Sequence, residues 1–284
     1  MRIALDASRT TVAHPTGTEH YALRLIQSLI QVNAQQQSPY EIHLYFRDTP
    51  LPDLFPASEY IHHHIIPFRR AWTHLRFAYA LWQSRPDVTF VPAHTLPFVF
   101  PGKSIVTLHD LGYKVFPSAH PTRQRLYLDW TTRYSQQRAT YILADSQATA
   151  RDLAQFYGTP TDKIRVVYPG VDAEPLQQTL QPIDTIRRKY GLPERYFLFI
   201  GTLQPRKNIE RIVQAFNKWQ QQTHNQDTAL VLAGGQGWLF DDAWINNSQH
   251  VILTGYIDEA DKSTLLQGAM ALVFPTLYEG FGFP

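Results

Sequence analysis

Apolar residues along this chain gather in short runs of about five, and most runs lead through a small or polar loop into a stretch with helical spacing. Arg2 to Ala7 reads as a buried strand. Thr16-Gly17-Thr18 follows, and Glu19 to Val32 then places Tyr21, Leu25, Leu29 and Val32 on one helical face. Strand, glycine-bearing loop and helix open a βαβ unit, and such a helix N-terminus suits an anion, although a plain βα turn accounts for one glycine equally well. Tyr40 to Phe46 alternates as a strand, Asp48 to Pro56 is a proline-rich loop, and Tyr60 to Ile66 is a further strand carrying His62, His63 and His64. Neighbouring strand residues point to opposite faces, so these three histidines do not converge on one metal. Asp87 to Val91 and Ser104 to Leu108 read as strands, the second running straight into His109-Asp110. Pro121 to Arg138 is expected to be helical. Tyr141 to Asp145 is expected to be a strand, Ser146 an N-cap, Ala148 to Tyr157 a helix, and Lys163 to Tyr168 a strand closing on Pro169-Gly170-Val171-Asp172. Six or seven strands alternating with helices make a doubly wound α/β domain over 1–172.

The alternation restarts after a linker rich in Gln and Pro, Glu174 to Pro182, with 173–190 holding that linker and a first helix from Ile183 to Tyr190. Arg195 to Ile200 is a strand, Asn208 a cap, and Ile209 to Gln221 a helix with Ile212, Ala215, Phe216 and Trp219 in one stripe. Thr228 to Ala233, His250 to Leu253 and Ala271 to Phe274 read as strands, with Asp258 capping a helix from Glu259 to Gly268. The region 191–284 therefore reads as a second domain with about four strands, incomplete beside the first.

Composition narrows the class. At 284 residues, 44% hydrophobic and 18% charged, the chain has the make-up of a globular protein with a sizeable core. A net charge of +2 gives no general affinity for nucleic acid. With no cysteine, disulfides and thiolate metal sites are out of reach. The N-terminus meets Asp6 too early for a signal peptide, and no apolar run approaches a bilayer span, so the expectation is a cytoplasmic protein. One stretch also suits a membrane surface. Arg69 to Gln83 puts Trp72, Leu75, Tyr79 and Trp82 at helical spacing among Arg69, Arg70 and Arg76. A sheet-packed helix with a solvated basic face explains that pattern, and so does peripheral contact with anionic lipid.

Candidate chemistry lies in the loops after strands, where open α/β sheets place ligands. In Gly201 to Asn208, Arg206-Lys207 directly precedes a helix, a planar fork and a mobile point charge beside free N–H groups, suited to a diphosphate. Gly234 to Gly237 forms a second such loop. The third, Thr276 to Pro284, holds Glu279 between small residues, with Gly280 and Gly282 letting backbone approach a ligand. His109 stands where a ligand contact would be placed. No Asp-x-Asp metal pattern, no dinucleotide or P-loop glycine signature and no nucleophile elbow is present.

Taken together, Gly201-Thr202-Leu203-Gln204-Pro205-Arg206-Lys207-Asn208, Leu232-Ala233-Gly234, Thr254-Gly255-Tyr256 and Phe274-Pro275-Thr276-Leu277-Tyr278-Glu279-Gly280-Phe281-Gly282-Phe283-Pro284 resemble the retaining glycosyltransferases of family four. Val106-Thr107-Leu108-His109-Asp110-Leu111, Ala144-Asp145-Ser146 and Val167-Tyr168-Pro169-Gly170-Val171-Asp172 extend the resemblance over essentially the whole chain. It implies the GT-B fold, two Rossmann-like domains holding a nucleotide-sugar donor, and transfer of a sugar to a glycan or lipid-linked acceptor. By that resemblance Arg206 and Lys207 take the donor diphosphate, near Gly201 and Thr202, with Gly17 approaching the same phosphate. His109 contacts the donor sugar, Glu279 its hydroxyls, and Gly280, Phe281 and Gly282 hold sugar and phosphate through the backbone. Gly255 and Tyr256 lie near the base. No metal or other cofactor is implied, since fixed cations stabilise the leaving group. The family's second glutamate falls past Pro284, so the chain is expected to be an incomplete reading frame or fragment. The alternatives are a non-catalytic nucleotide-sugar-binding fragment and a nucleotide-sugar epimerase or hydrolase of the same fold.

Overall fold

A computed structural model describes residues 1–13, 15–56, 58–171, 181–246 and 248–283. The chain divides into two compact units, one of Met1–Lys114 with Leu126–Pro169, the other of Val115–Arg125 with Gly170–Pro284.

The first unit is built on seven parallel strands: β1 (Arg2–Asp6), β2 (Glu41–Phe46), β3 (Ile61–Ile65), β4 (Val88–Val91), β5 (Lys103–Leu108), β6 (Tyr141–Ala144) and β7 (Ile164–Val166). Their order is β3-β2-β1-β4-β5-β6-β7, so the chain winds outward from β1 in both directions. Its helices are α1 (Gly17–Ala34), α2 (Ala78–Ser84), α3 (Gly112–Val115), α4 (Thr122–Arg138) and α5 (Gln147–Tyr157). Parallel strands are covered on both faces, and alternate residues feed two cores. Leu5, Leu44 and Phe90 pack with Ile26 and Ile30 of α1, while Ala4, Tyr45, Val106 and Leu108 pack with Phe77 and Leu81.

Local signals behave as the residue types require. Thr16 and Glu19 form a reciprocal capping box at the start of α1. Ser146 accepts from the Thr149 N–H at 3.1 Å, and α5 ends on left-handed Gly158. On β3, His62 and His64 share a face with His43, at ring separations of 4.7 and 5.1 Å, while His63 turns to Phe46 and Phe55. The two edge strands, β3 and β7, are each shorter than the strand read from the sequence. Hydrogen bonding still continues one residue past β7, through Val167 N–H to the Ala144 carbonyl.

One helix turns out differently from its sequence pattern. A wide π-type turn at Thr73–Phe77 precedes α2 and rotates the faces. Trp72, Phe77, Ala78 and Leu81 are buried, whereas Leu75, Tyr79 and Trp82 of the expected stripe are exposed.

The second unit carries β8 (Arg195–Ile200), β9 (Thr228–Ala233), β10 (Val251–Gly255) and β11 (Ala271–Leu272), all parallel in the order β10-β9-β8-β11. Its helices are α6 (Ile183–Tyr190), α7 (Ile209–Thr223) and α8 (Glu259–Gly268). Phe199, Leu230 and Leu232 pack on Ile209, Ile212 and Phe216 of α7. Leu198, Ile200 and Val231 pack on Ile186 of α6 and Leu265 of α8. Val213 is buried in α7 and Ala215 is exposed, a shift from the expected stripe. Strand β11 stops early, but Val273 N–H still donates to the Leu198 carbonyl before Pro275 ends the ladder.

Neither expected side-chain cap forms. Asn208 sits in the left-handed region at φ 63° and gives its amide to the Pro275 carbonyl at 3.0 Å. Asp258 pairs with Lys189 at 2.6 Å. Of the linker read from Glu174 to Pro182, residues up to 180 lie outside the described residues, as does Asp172. No helix among the described residues is long and apolar enough to cross a membrane.

Candidate functional site

In the first unit, β4, β5 and β6 are neighbours in the sheet, so the residues just past their C-terminal ends meet. His109 follows β5, Asp145 follows β6, and Pro92 follows β4. His109 Nδ1 lies 2.5 Å from Asp145 Oδ2, and Nε2 lies 3.0 Å from the Pro92 carbonyl oxygen. The Thr149 hydroxyl donates to the His109 carbonyl at 2.9 Å, tying the same residue to the first turn of α5. Tyr21 of α1 packs edge-on against the imidazole, its hydroxyl 3.3 Å from that of Thr107. Burial pushes the Tyr21 phenol up to about 12, so it acts as a neutral hydroxyl. His94 stands beside His109, its ring nitrogen 3.1 Å from the Asp110 carbonyl oxygen; burial, with the neighbouring imidazole, lowers its basicity. Both ring nitrogens of His109 thus have fixed partners, and the imidazole has one orientation.

Gly17 opens α1, where an added Cβ would meet no atom within 4 Å. The helix end already holds an anion of its own. The Glu19 carboxylate accepts from Thr16 N–H at 3.0 Å and pairs with Arg9 at 3.3 Å.

In the second unit the loop after β8 and the loop after β11 are stitched together. Leu277 N–H donates to the Arg206 carbonyl at 3.0 Å, and Arg206 Nη1 donates to the Tyr278 carbonyl. The Asn208 amide closes a third bond, on Pro275. Inside this frame Glu279 spends one carboxylate oxygen on each cation. Oε2 lies 3.0 Å from Arg206 Nη1, and Oε1 lies 2.6 Å from Lys207 Nζ. The side chains are 10% exposed for Arg206 and Lys207 and 17% for Glu279, so solvent screens the pairs only in part. Lys207 also lies over the Phe274 ring at 4.9 Å.

The loop after β9 supports that frame through close backbone contact. Gly201 and Gly234 both have φ 143°, and a Cβ on Gly234 would stand 2.1 Å from the Gly201 carbonyl oxygen. Leu203 N–H donates to the Gly235 carbonyl at 2.9 Å and Gly237 N–H to the Leu203 carbonyl at 2.8 Å. Thr202 borders the same seam, its methyl 2.7 Å from where a Gly237 Cβ would be. Gly255, at φ 71°, accepts from Gly234 N–H at 2.8 Å, and Tyr256 beside it is exposed. Gly280 is buried, Gly282 has φ 99°, and exposed Phe281 packs edge-on with Phe283.

The structure therefore brings Arg206, Lys207 and Glu279 into direct contact, with Gly201 and Thr202 in the supporting loop. Sequence reasoning assigned no role to Asp145, Tyr21 or Pro92, which hold His109. The available signal was that Asp145 follows its strand as directly as His109 follows its own; the adjacency of those strands is a property of the sheet. Trp238 was missed too. Its indole N–H donates to the Ala119 carbonyl at 2.7 Å, fastening 115–125 to the loop after β9, and Phe116 of the same segment lies 6.5 Å from the Tyr278 ring. Among the described residues no group of three His, Asp or Glu has the arrangement of a metal site.

Residues 15–175 match the model described as Glycosyltransferase Family 4, and 182–284 match that of Glycosyl transferases group 1. The chain is 27% identical over 239 residues to O-antigen chain mannosyltransferase B of Escherichia coli, covering 82% of this chain and 59% of that one. It thus spans less than two thirds of that relative's length. Among solved structures, sucrose-phosphate synthase of Thermosynechococcus elongatus superposes with a TM-score of 0.68 at 19% identity, covering 100% of this chain and 77% of its own. Anabaena HepE, solved in complex with UDP-glucose, superposes with a TM-score of 0.65 at 14% identity, covering 97% and 74%. The fold is GT-B.

Proposed function

The chain belongs to glycosyltransferase family 4, and on that premise we propose that it transfers a hexosyl group, mannosyl or glucosyl, from a UDP- or GDP-sugar to a hydroxyl of a glycan or lipid-linked acceptor in polysaccharide synthesis. The observation that carries this reading is the cation pair Arg206 and Lys207, partly shielded and held at the end of β8 by the loop that carries Glu279. As the bond from the anomeric carbon to the diphosphate oxygen breaks, negative charge grows on the leaving group. A guanidinium fork and an ammonium fixed beforehand stabilise it without reorganisation, supplying charge that a divalent ion supplies in other sites. The new bond forms to the acceptor oxygen on the face the leaving group departs from, with retention at the anomeric carbon. The acceptor proton passes to the departing phosphate oxygen. Glu279 accepts from sugar hydroxyls, Gly280, Phe281 and Gly282 line sugar and phosphate, and Gly255 with Tyr256 borders the base. In the first unit, His109, kept in one orientation by Asp145, is assigned to the donor sugar and Gly17 to the phosphate by the family resemblance.

The acceptor fits a membrane-bound carrier. Exposed Leu75, Tyr79 and Trp82, with Arg69, Arg70 and Arg76 exposed beside them, support peripheral contact with anionic lipid through Arg69–Gln83.

Titration with UDP- and GDP-hexoses tests the reading. Nucleotide release that requires an added acceptor supports transfer. Binding with no release under any acceptor identifies a nucleotide-sugar-binding chain, and release without acceptor identifies a hydrolase.

A further inference from the structure

We propose that Glu279 is a built-in exchangeable counterion: it occupies Arg206 and Lys207 when no donor is present, yields them to the donor diphosphate, and reclaims them from the nucleoside diphosphate product. This rests on the reading of that cation pair as the diphosphate site. A carboxylate and a phosphate compete for the same donors, a guanidinium N–H and an ammonium. Here both are engaged by the two oxygens of one carboxylate, at 3.0 and 2.6 Å.

The surrounding frame does not depend on this ion pair. Leu277 N–H to the Arg206 carbonyl and the Asn208 amide to the Pro275 carbonyl hold the loops with backbone and amide groups alone. Glu279 can therefore leave the cations while they stay in place. Phe274 beneath Lys207 and the Tyr278 carbonyl on Arg206 are further fixed partners.

The exchange has a direction. A diphosphate carries more negative charge than one carboxylate and offers more acceptor oxygens, so an intact donor displaces Glu279. The released carboxylate is then an acceptor for sugar hydroxyls. After transfer the sugar is gone, that second role disappears, and the carboxylate competes with the product for the cations. Glu279 thus weakens the hold on bare nucleoside diphosphate while strengthening the hold on the complete donor.

Calorimetric titration of the whole chain with inorganic pyrophosphate, UDP and GDP tests this. Glu279→Gln removes the competing charge and keeps the shape, and is expected to tighten the probe that binds wild type by about tenfold. Glu279→Asp, one methylene short of bridging both cations, is expected to tighten it less. Arg206→Ala is expected to weaken it. Should the Gln variant fail to fold by thermal melting, the Asp variant decides alone. Equal or weaker binding in the Glu279 variants, with Arg206→Ala still weakening it, overturns the exchange and leaves the diphosphate site standing. Binding unaffected by Arg206→Ala, or no binding of any probe to any variant, overturns the site and the exchange with it.

Discussion

The two clusters hold their charged groups in opposite ways. Around His109 the partners are a buried carboxylate, a backbone carbonyl and a hydroxyl on the first turn of α5, all fixed by neighbouring strands and helix. None of them leaves without disturbing the sheet edge. Around Arg206 and Lys207 the principal partner is one side chain on a loop, bound through two charge-assisted hydrogen bonds that an incoming anion makes equally well. The first arrangement preserves a geometry, and the second keeps a charged site organised until something takes its place. Attachment rather than burial separates them, since the side chains of both clusters are largely shielded: the partners of His109 sit on strand ends and a helix, whereas Glu279 sits on a loop whose other bonds hold without it.

That contrast can be broken by experiment. The largest effect is expected from Arg206→Ala, which should slow nucleotide release from the donor by roughly 10²–10³-fold; turnover within a few-fold of wild type would remove the leaving-group role. Next comes Asp145→Leu. It leaves the His109 ring nitrogen buried without its acceptor and should lower the unfolding free energy by about 3 kcal/mol in denaturant titration. The same titration on Glu279→Gln should show a smaller loss, because the Gln amide oxygen can still accept from one of the cations and the loop keeps its backbone bonds. Equal losses in the two variants would erase the distinction between fixed and exchangeable sites.

Gly234→Ala is expected to cost about 2 kcal/mol, because φ 143° is unsuited to alanine and the Cβ would lie 2.1 Å from a carbonyl oxygen. Gly17→Ala, in open space, should stay within about 0.5 kcal/mol.

A separate effect concerns pH. His43 is pushed down to about 4, chiefly by burial, with the imidazoles of His64 and His62 and the Arg2 guanidinium adding to it and Glu41 opposing it. Burial also lowers His63, His64, His74 and His94. A base whose folded pKa is depressed binds its proton more readily when unfolded. Stability is therefore full above the ordinary histidine range near 6.5, and is lost as pH falls through it toward 4. The contribution of His43 is on the order of 1–2 kcal/mol, and His43→Gln should flatten the slope of melting temperature between pH 7 and 5. A slope unchanged in that variant would place the acid sensitivity elsewhere.

Much of the fold was legible because each strand of a doubly wound sheet advertises itself. Tyr196 to Ile200 and Ala229 to Ala233 are continuous apolar runs, as strands buried on both faces require. The 3.6 period of Trp72, Leu75, Tyr79 and Trp82 suited a sheet-packed helix and a lipid-facing one alike; the π-type turn before α2 changes the count, so that Trp72 is buried and the other three are exposed. Asn208 and Asp258 were read as caps from residue type and position. Both instead answer partners far along the chain, Pro275 and Lys189, which no local pattern reveals.

By itself the sequence determined where strands end and which chemistry follows them: His109 after one, Arg206-Lys207 after another, Glu279 after a third. Those assignments are local, set by apolar run length, by glycine and proline, and by charge. Only the tertiary structure decided which strand ends are neighbours, because sheet order is a long-range packing outcome of crossover connections. That order puts Asp145 on His109. It also aligns β8 beside β11, so that Glu279 meets Arg206 and Lys207, and the loop first noticed for its glycines proves to hold the counterion of the site.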